Sequence, residues 1–64
     1  MPRFHIRVRT KNPKDDLALL GRAKLEAKRA DENHIDVFVE ADKHEAARQQ
    51  VIQALGKDRE DDVE

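Results

Sequence analysis

Two seven-residue segments in which apolar residues recur at every second position constrain the fold of this chain more than any other feature. In residues 3–9, apolar side chains alternate with arginine or histidine. Residues 34–40 repeat the pattern with β-branched residues, while Phe38 falls on the opposite, polar face. Because successive side chains of a strand point to opposite faces, each segment predicts a β-strand with one buried face.

The residues between these strands predict a helix. Asn12 can accept a backbone N–H as the N-cap residue, and Pro13 suits the first helical position. Apolar residues then fall on one broad arc of a helical projection, which predicts a helix over residues 13–29. Leu25 lies outside that arc, so we expect it to be exposed or to contact a partner.

The residues after the second strand predict another helix and a tail. Asp42 precedes Glu45 by the spacing of a capping box, and Gly56 is a typical helix stop, which together predict a helix over residues 43–55. Residues 57–64 are nearly all charged, so we expect a mobile tail there. The sequence thus predicts one α+β domain of βαβα order over residues 1–56.

A sheet of only two strands is marginal in water, and this chain has no cysteine to reinforce it with a disulfide. The connection between the strands is long enough for a right-handed crossover, which predicts that they are parallel. We expect either a homodimer that completes the sheet or a further short strand that the pattern does not reveal. The predicted core consists of Phe4, Ile6, Val8, Leu17, Leu20, Ile35, Val37, Val39, Val51 and Leu55.

Charge and residue types narrow the function classes. Thirteen Lys and Arg against 14 Asp and Glu give a net charge of −1, so bulk charge does not indicate a nucleic-acid-binding protein. No apolar run has the length of a membrane span, and we expect a cytoplasmic protein without a membrane partner. The chain has no Ser or Cys, a single Thr and isolated glycines, so we expect no enzymatic activity, no cofactor and no small-molecule substrate.

The outward face of the first strand is the best candidate for a binding surface. Its basic and imidazole side chains are spaced by roughly 6.6 Å, close to the spacing of phosphates in a single strand. Phe38 on the other strand could stack on a base. The predicted nucleic-acid-binding residues are Arg3, His5, Arg7, Arg9, Lys11 and Phe38. In the alternative interpretation, Arg7 and Arg9 pair with Asp36 and Glu40 on a solvated face.

Histidines also raise the question of a metal. His5, His34 and Asp36 lie on outward faces, and two imidazoles with one carboxylate resemble a zinc ligand set. They would meet only if the two strands pair in one particular register. We therefore expect no metal site.

The C-terminal half contains a spaced series of residues: Val39-Glu40-Ala41-Asp42, Ala46-Ala47, Val51-Ile52 and Leu55. In this series it resembles the last strand-to-helix segment of the ribosome hibernation-promoting factors, the sigma-54 modulation family. Residues 7–12 and Lys24-Leu25 more loosely resemble the first strand and first helix of that family. The resemblance implies a β-α-β-β-β-α fold and ribosomal RNA as partner. This chain is too short for the two middle strands, and its last helix has glutamines where the family has basic residues.

Two classes of function remain open from the sequence. The first is a small non-catalytic binding module that associates with RNA or the ribosome through the basic face of the first strand. The alternative is a homodimeric protein-interaction or scaffold domain, or an engineered chain without biochemical activity. Regular alternation, recognisable helix caps and the lack of a reactive constellation fit this alternative.

Overall fold

The computed structural model, which describes residues 1–64, contains three strands and two helices. They are β1 (Arg3–Arg9), α1 (Pro13–Arg22), β2 (Glu26–Asp31), β3 (His34–Glu40) and α2 (His44–Leu55), followed by a 3₁₀ helix over Lys57–Asp62. The strands form one sheet in the order β1-β3-β2. The α+β class is confirmed, as are both predicted strands, and the additional short strand is β2.

The predicted parallel arrangement is wrong, because β1 and β3 are antiparallel. Their register runs from Arg3 opposite Glu40 to Arg9 opposite His34. β2 is also antiparallel to β3. The crossover through α1 therefore joins β1 to β2, which run in the same direction at opposite edges of the sheet with β3 between them. This crossover ends at β2, a strand that the sequence pattern does not predict.

Helix α1 ends at Arg22, not at residue 29, and a Schellman motif terminates it without a glycine. Lys24 adopts φ 62°, the left-handed conformation. The Lys24 N–H donates to Gly21 O at 3.0 Å, and the Leu25 N–H donates to Leu20 O at 3.0 Å, which is the bond pattern of that motif. Leu25 then packs against the core. Leu25 is therefore half-buried and not exposed, and it anchors the helix end.

Helix α2 confirms the predicted helix to within one residue. Its N-cap is Lys43 and no side chain caps it, so the predicted capping box of Asp42 and Glu45 does not form. Gly56 ends the helix as predicted, with φ 117°. This left-handed backbone favours glycine, and a Cβ there would lie 2.8 Å from the Asp58 carboxylate.

Both helices contribute to the core on one face of the sheet. Twelve buried hydrophobic residues form it: Ile6, Val8, Leu20, Ile35, Val37, Val39, Ala41, Ala47, Val51, Ile52, Leu55 and Val63. Phe4 and Leu17, which the sequence also places in the core, are partly buried against it. The other face of the sheet is free of helices.

The C-terminal segment (residues 57–64) folds back onto β1, in contrast to the predicted mobile tail. After the 3₁₀ helix, Val63 is buried and forms an isolated antiparallel bridge with Val8. The Glu64 N–H donates to Arg7 O at 2.9 Å. The complete order is therefore that of a ferredoxin-like βαββαβ arrangement whose last strand is reduced to one bridge. No helix of this fold has the length and apolar character that crossing a membrane requires.

Candidate nucleic-acid interface

The helix-free side of the sheet, called the outer face here, brings together most of the predicted binding residues. Antiparallel pairing places side chains of directly opposite residues on the same face. The outer face therefore carries Arg3, His5, Arg7 and Arg9 from β1, His34, Asp36, Phe38 and Glu40 from β3, and Glu26 and Lys28 from β2. Of the six predicted binding residues, only Lys11 lies outside it.

The two rings at the centre of the outer face form a stacked pair. His5 and Phe38 are directly opposite on β1 and β3. Their ring centroids are 5.2 Å apart with an interplanar angle of 18°. The His5 Nε2 lies 2.7 Å from the Asp36 carboxylate, which fixes the imidazole from a second side. The His5 side chain nevertheless remains 53% exposed, so it presents a positioned ring to solvent.

Phe38 itself is half-buried, because cations from both edge strands cover it. The Arg3 guanidinium lies 4.8 Å from the ring centroid and the Lys28 ammonium 5.6 Å from it. Arg3 also pairs with Glu26, so this ion pair spans from β1 to β2 across the ring. Of the two rings, His5 is therefore the accessible one, although the sequence assigns base stacking to Phe38.

The remaining arginines of β1 are also paired, but not as the alternative interpretation expects. Arg7 lies 3.6 Å from the Asp31 carboxylate and Arg9 lies 3.1 Å from that of Asp62. Asp36, the expected partner of an arginine, binds His5 instead. The outer face is thus a solvated network of opposite charges whose carboxylates come largely from β2 and the C-terminal segment.

Lys11 lies at a second charged region, beyond the end of β1. An open cavity of about 690 Å³ is found there. It is lined by Arg9, Thr10, Lys11, Asn12, Asp16, Arg59 and Asp62. Lys11 is exposed and takes part in no ion pair. Arg9 belongs to both regions, because its guanidinium reaches Asp62 at the rim of this cavity.

Arg59 organises this second region, and we call Asp16, Arg59 and Asp62 the Arg59 cluster. Its two terminal nitrogens each donate to one oxygen of Asp16 at 2.9 Å, while its Nε donates to Asp62 at 2.8 Å. A further N–H binds the Arg9 carbonyl at 3.1 Å. The bidentate geometry directs the guanidinium toward protein carboxylates, so its donors hold the C-terminal segment on α1 and β1.

The pKa values in the Arg59 cluster follow from these bonds. Burial by itself raises the pKa of Asp16, but hydrogen bonds from Arg59 and Thr10 outweigh burial and lower it below its usual value. Hydrogen bonds from Arg59 and then Arg9 lower the pKa of Asp62. The same bonds, first to Asp16 and then to Asp62, raise the pKa of Arg59. All three groups are therefore charged at neutral pH.

The histidine and carboxylate arrangement does not form a metal ligand set. His5 binds Asp36, whereas His34 binds Asp31 at 2.9 Å, so each imidazole has its own carboxylate. A backbone hydrogen bond from Asn33, followed by one from His34, lowers the pKa of Asp31. No group of three potential ligands comes together anywhere in the chain.

Sequence reasoning missed the contribution of β2 to the outer face. Glu26 and Lys28 flank Phe38 because β2 pairs with β3 at Glu26 opposite Phe38 and Lys28 opposite Asp36. Residues 26–31 lack apolar alternation and favour helix by composition, so only the polar Asp31-Glu32-Asn33 turn could have indicated a hairpin. Arg59 was missed because it lies among charged residues that predict a tail.

Comparison with known proteins adds no relative. No family model matches the chain, and neither a curated protein nor a solved structure matches it significantly.

Proposed function

We propose that this chain is a small non-catalytic module that binds single-stranded RNA on the outer face. The observation that carries the proposal is the His5–Phe38 stack on adjacent strands of an uncovered sheet. Sheets with exposed aromatic rings on neighbouring strands bind RNA by stacking bases, and histidine is among the residues that do so. His5 is held by Asp36 and backed by Phe38, so a base that stacks on it need not order a mobile ring.

The cations around this pair supply the phosphate contacts. Arg3, Arg7 and Arg9 have side chains that are 54%, 46% and 67% exposed, so their ion pairs are largely solvated. Exposed pairs contribute only about 0–1 kcal/mol, which lets an RNA phosphate replace a carboxylate at small cost. Lys28 already lies over Phe38 and pairs with no carboxylate. Phosphate binding and base stacking therefore use the same surface.

The resemblance of residues 39–55 to ribosome hibernation-promoting factors makes ribosomal RNA a candidate within this class, with the cytoplasm as the location. The element order observed here has one strand fewer between the helices than that family has. The proposal therefore depends on the outer face and not on the resemblance. In the competing class, a protein-interaction domain or an engineered chain without activity, the outer face has no RNA ligand. Met1 is the only exposed large hydrophobic residue. The surface therefore has no apolar patch that would favour a protein-interaction domain.

The test is a fluorescence-anisotropy titration of mixed-sequence single-stranded RNA at low salt. His5→Ala should weaken binding by about 5-fold to 150-fold, the range that corresponds to losing about 1–3 kcal/mol of stacking on one base. Replacing Arg7 and Arg9 together by Gln should weaken binding and flatten the dependence of log affinity on log salt. His44→Ala is the matched control, because His44 is also an exposed histidine but lies on α2.

Two results would reject this function. One is the absence of binding at about 100 μM protein, the weak end of non-specific nucleic-acid affinity. The other is equal loss of affinity in His5→Ala and His44→Ala, because the outer face would then have no special role.

A further inference from the structure

The two edges of the sheet differ in their backbone hydrogen bonding. At the edge of β1 that faces away from β3, the Glu64 N–H donates to Arg7 O. In an antiparallel strand the N–H and C=O of one residue point to the same side, and those of the next residue point to the opposite side. This bond therefore fixes the side to which the backbone groups of every other residue in the sheet point. The backbone N–H and C=O of Val37 point toward β1, and those of Lys28 point toward β3. The backbone groups of Ala27 and Arg29 therefore point away from β3, to the open edge of the sheet. The N–H and C=O groups of Ala27 and Arg29 are therefore unpaired on an exposed edge.

The sequence of β2 makes this edge complementary to itself in one register. A two-fold axis through Glu26, Lys28 or Arg29 would place two like charges directly opposite one another. An axis through Ala27 instead places Glu26 of each copy opposite Lys28 of the other, with the two alanines at the centre. An axis through Ala30 would extend the pairing into the irregularity between Arg29 and Asp31. Opposite charges in facing positions stabilise a strand pair, whereas like charges destabilise it.

We propose that two copies of this chain pair through β2, antiparallel and about a two-fold axis at Ala27. The N–H of each Ala27 donates to the C=O of Ala27 in the other copy. Each Arg29 N–H donates to Leu25 O of the other copy, while the Leu25 N–H keeps its bond to Leu20 O. Two Glu26–Lys28 pairs flank the centre on the outer face.

The dimer has a six-stranded continuous sheet and a doubled outer face. The β1 edges stay outermost, where the C-terminal segment covers them at Val8. β2 contains no proline, and Ala27, the residue at the two-fold axis, has a small side chain. Since few hydrogen bonds and charge pairs hold the copies together and no apolar patch joins them, the association is weak and depends on concentration. It requires no RNA, so it stands or fails separately from the proposed function.

Cysteine crosslinking tests the axis directly, since the unsubstituted chain has no cysteine. In a hydrogen-bonded antiparallel pair the two Cα atoms are about 5.5 Å apart, within the range that a disulfide bridges. In oxidised-glutathione buffer without RNA, Ala27→Cys should form a disulfide dimer at least about tenfold faster than Lys14→Cys, the excess expected of a preformed pair. Lys14 is an exposed control site on α1.

Charge reversal tests the register. By sedimentation equilibrium up to about 1 mM protein, Glu26→Lys or Lys28→Glu alone should weaken association by about tenfold, because each creates two like-charge contacts. Both reversals in one chain should restore it. Circular dichroism of every variant checks the fold.

Equal crosslinking rates at positions 27 and 14, or a monomer at every concentration, would overturn the proposal. A dimer that forms but does not respond to the single reversals would also overturn it, because another surface would then hold the copies together.

Discussion

The outer face and the Arg59 cluster are both built from arginine–carboxylate pairs, yet they differ in burial. The Arg59 and Asp16 side chains are 24% and 4% exposed. On the outer face, the paired Arg7 and Asp31 side chains are 46% and 50% exposed. The same chemistry therefore has two consequences. Removing one partner of a buried pair leaves an uncompensated charge, whereas the partners of an exposed pair return to water.

This difference separates a structural role from a binding role. The Arg59 cluster uses its donors to hold the C-terminal segment, which brings Val63 into the core beside Val8. The outer face holds its cations by weak contacts that a ligand can replace. The open cavity of about 690 Å³ lies at the Arg59 cluster, but the central cation of that cluster is already bound by two carboxylates.

Removing Arg59 should produce the largest effect. Arg59→Ala leaves Asp16 buried without its bidentate partner, and we expect a loss of about 3 kcal/mol in the free energy of unfolding. Urea denaturation of the variant beside the unsubstituted chain measures this loss.

The double variant Asp16→Asn with Arg59→Ala is the control, because it removes the uncompensated charge as well. It should be more stable than Arg59→Ala alone, with a coupling energy measured by the double-mutant cycle. An Arg59→Ala variant as stable as the unsubstituted chain would show that the Arg59 cluster does not hold the fold together.

Acid should weaken the same region. The pKa values of Asp16 and Asp62 are lower in the folded chain than their usual values, so these groups bind protons more readily when the chain is unfolded. Their contribution to stability is complete above about pH 4, the ordinary range for aspartate, and is lost as the pH falls through the lowered values. Denaturation curves between neutral and strongly acidic pH measure the loss.

Arg59→Ala serves as the reference for the acid experiment, since it removes the main cause of both lowered pKa values. Its stability should decline less over the same pH interval. Parallel pH profiles for the two proteins would assign the acid sensitivity to other carboxylates, such as Asp31.

The smallest effect is expected on the outer face. Arg7→Gln breaks an exposed ion pair with Asp31 and should change the free energy of unfolding by less than about 1 kcal/mol. Urea denaturation at low and high salt measures it. A loss comparable to that of Arg59→Ala would remove the distinction between the two regions.

The predictable part of this fold is the part in which local pattern and burial agree. The sequence pattern predicts β1 and β3 to the residue because their apolar residues alternate on a buried face. β2 has a single partly buried residue, Ala27, so its pairing with β3 and not its own pattern makes it a strand. Just after α1, Lys24 adopts the left-handed conformation that glycine usually occupies at helix ends. The sequence therefore carries no clear stop signal there.

The candidate site divides in the same way. The shared face of His5 and Phe38 follows from alternation once β1 and β3 pair. The partners of its arginines did not follow, because Glu26, Asp31 and Asp62 lie on β2 and the C-terminal segment. Val63, a lone apolar residue among charged ones, was the one sequence signal that the tail contacts the core.

An NMR titration of the ¹⁵N-labelled chain with mixed-sequence single-stranded RNA at low salt shows directly which surface of the protein the RNA binds. We predict that the largest amide shift changes occur around His5, Phe38 and Lys28 on the outer face. Shift changes confined to Lys11, Asn12 and their neighbours at the Arg59 cluster, or no changes at all, would show that the outer face does not bind RNA.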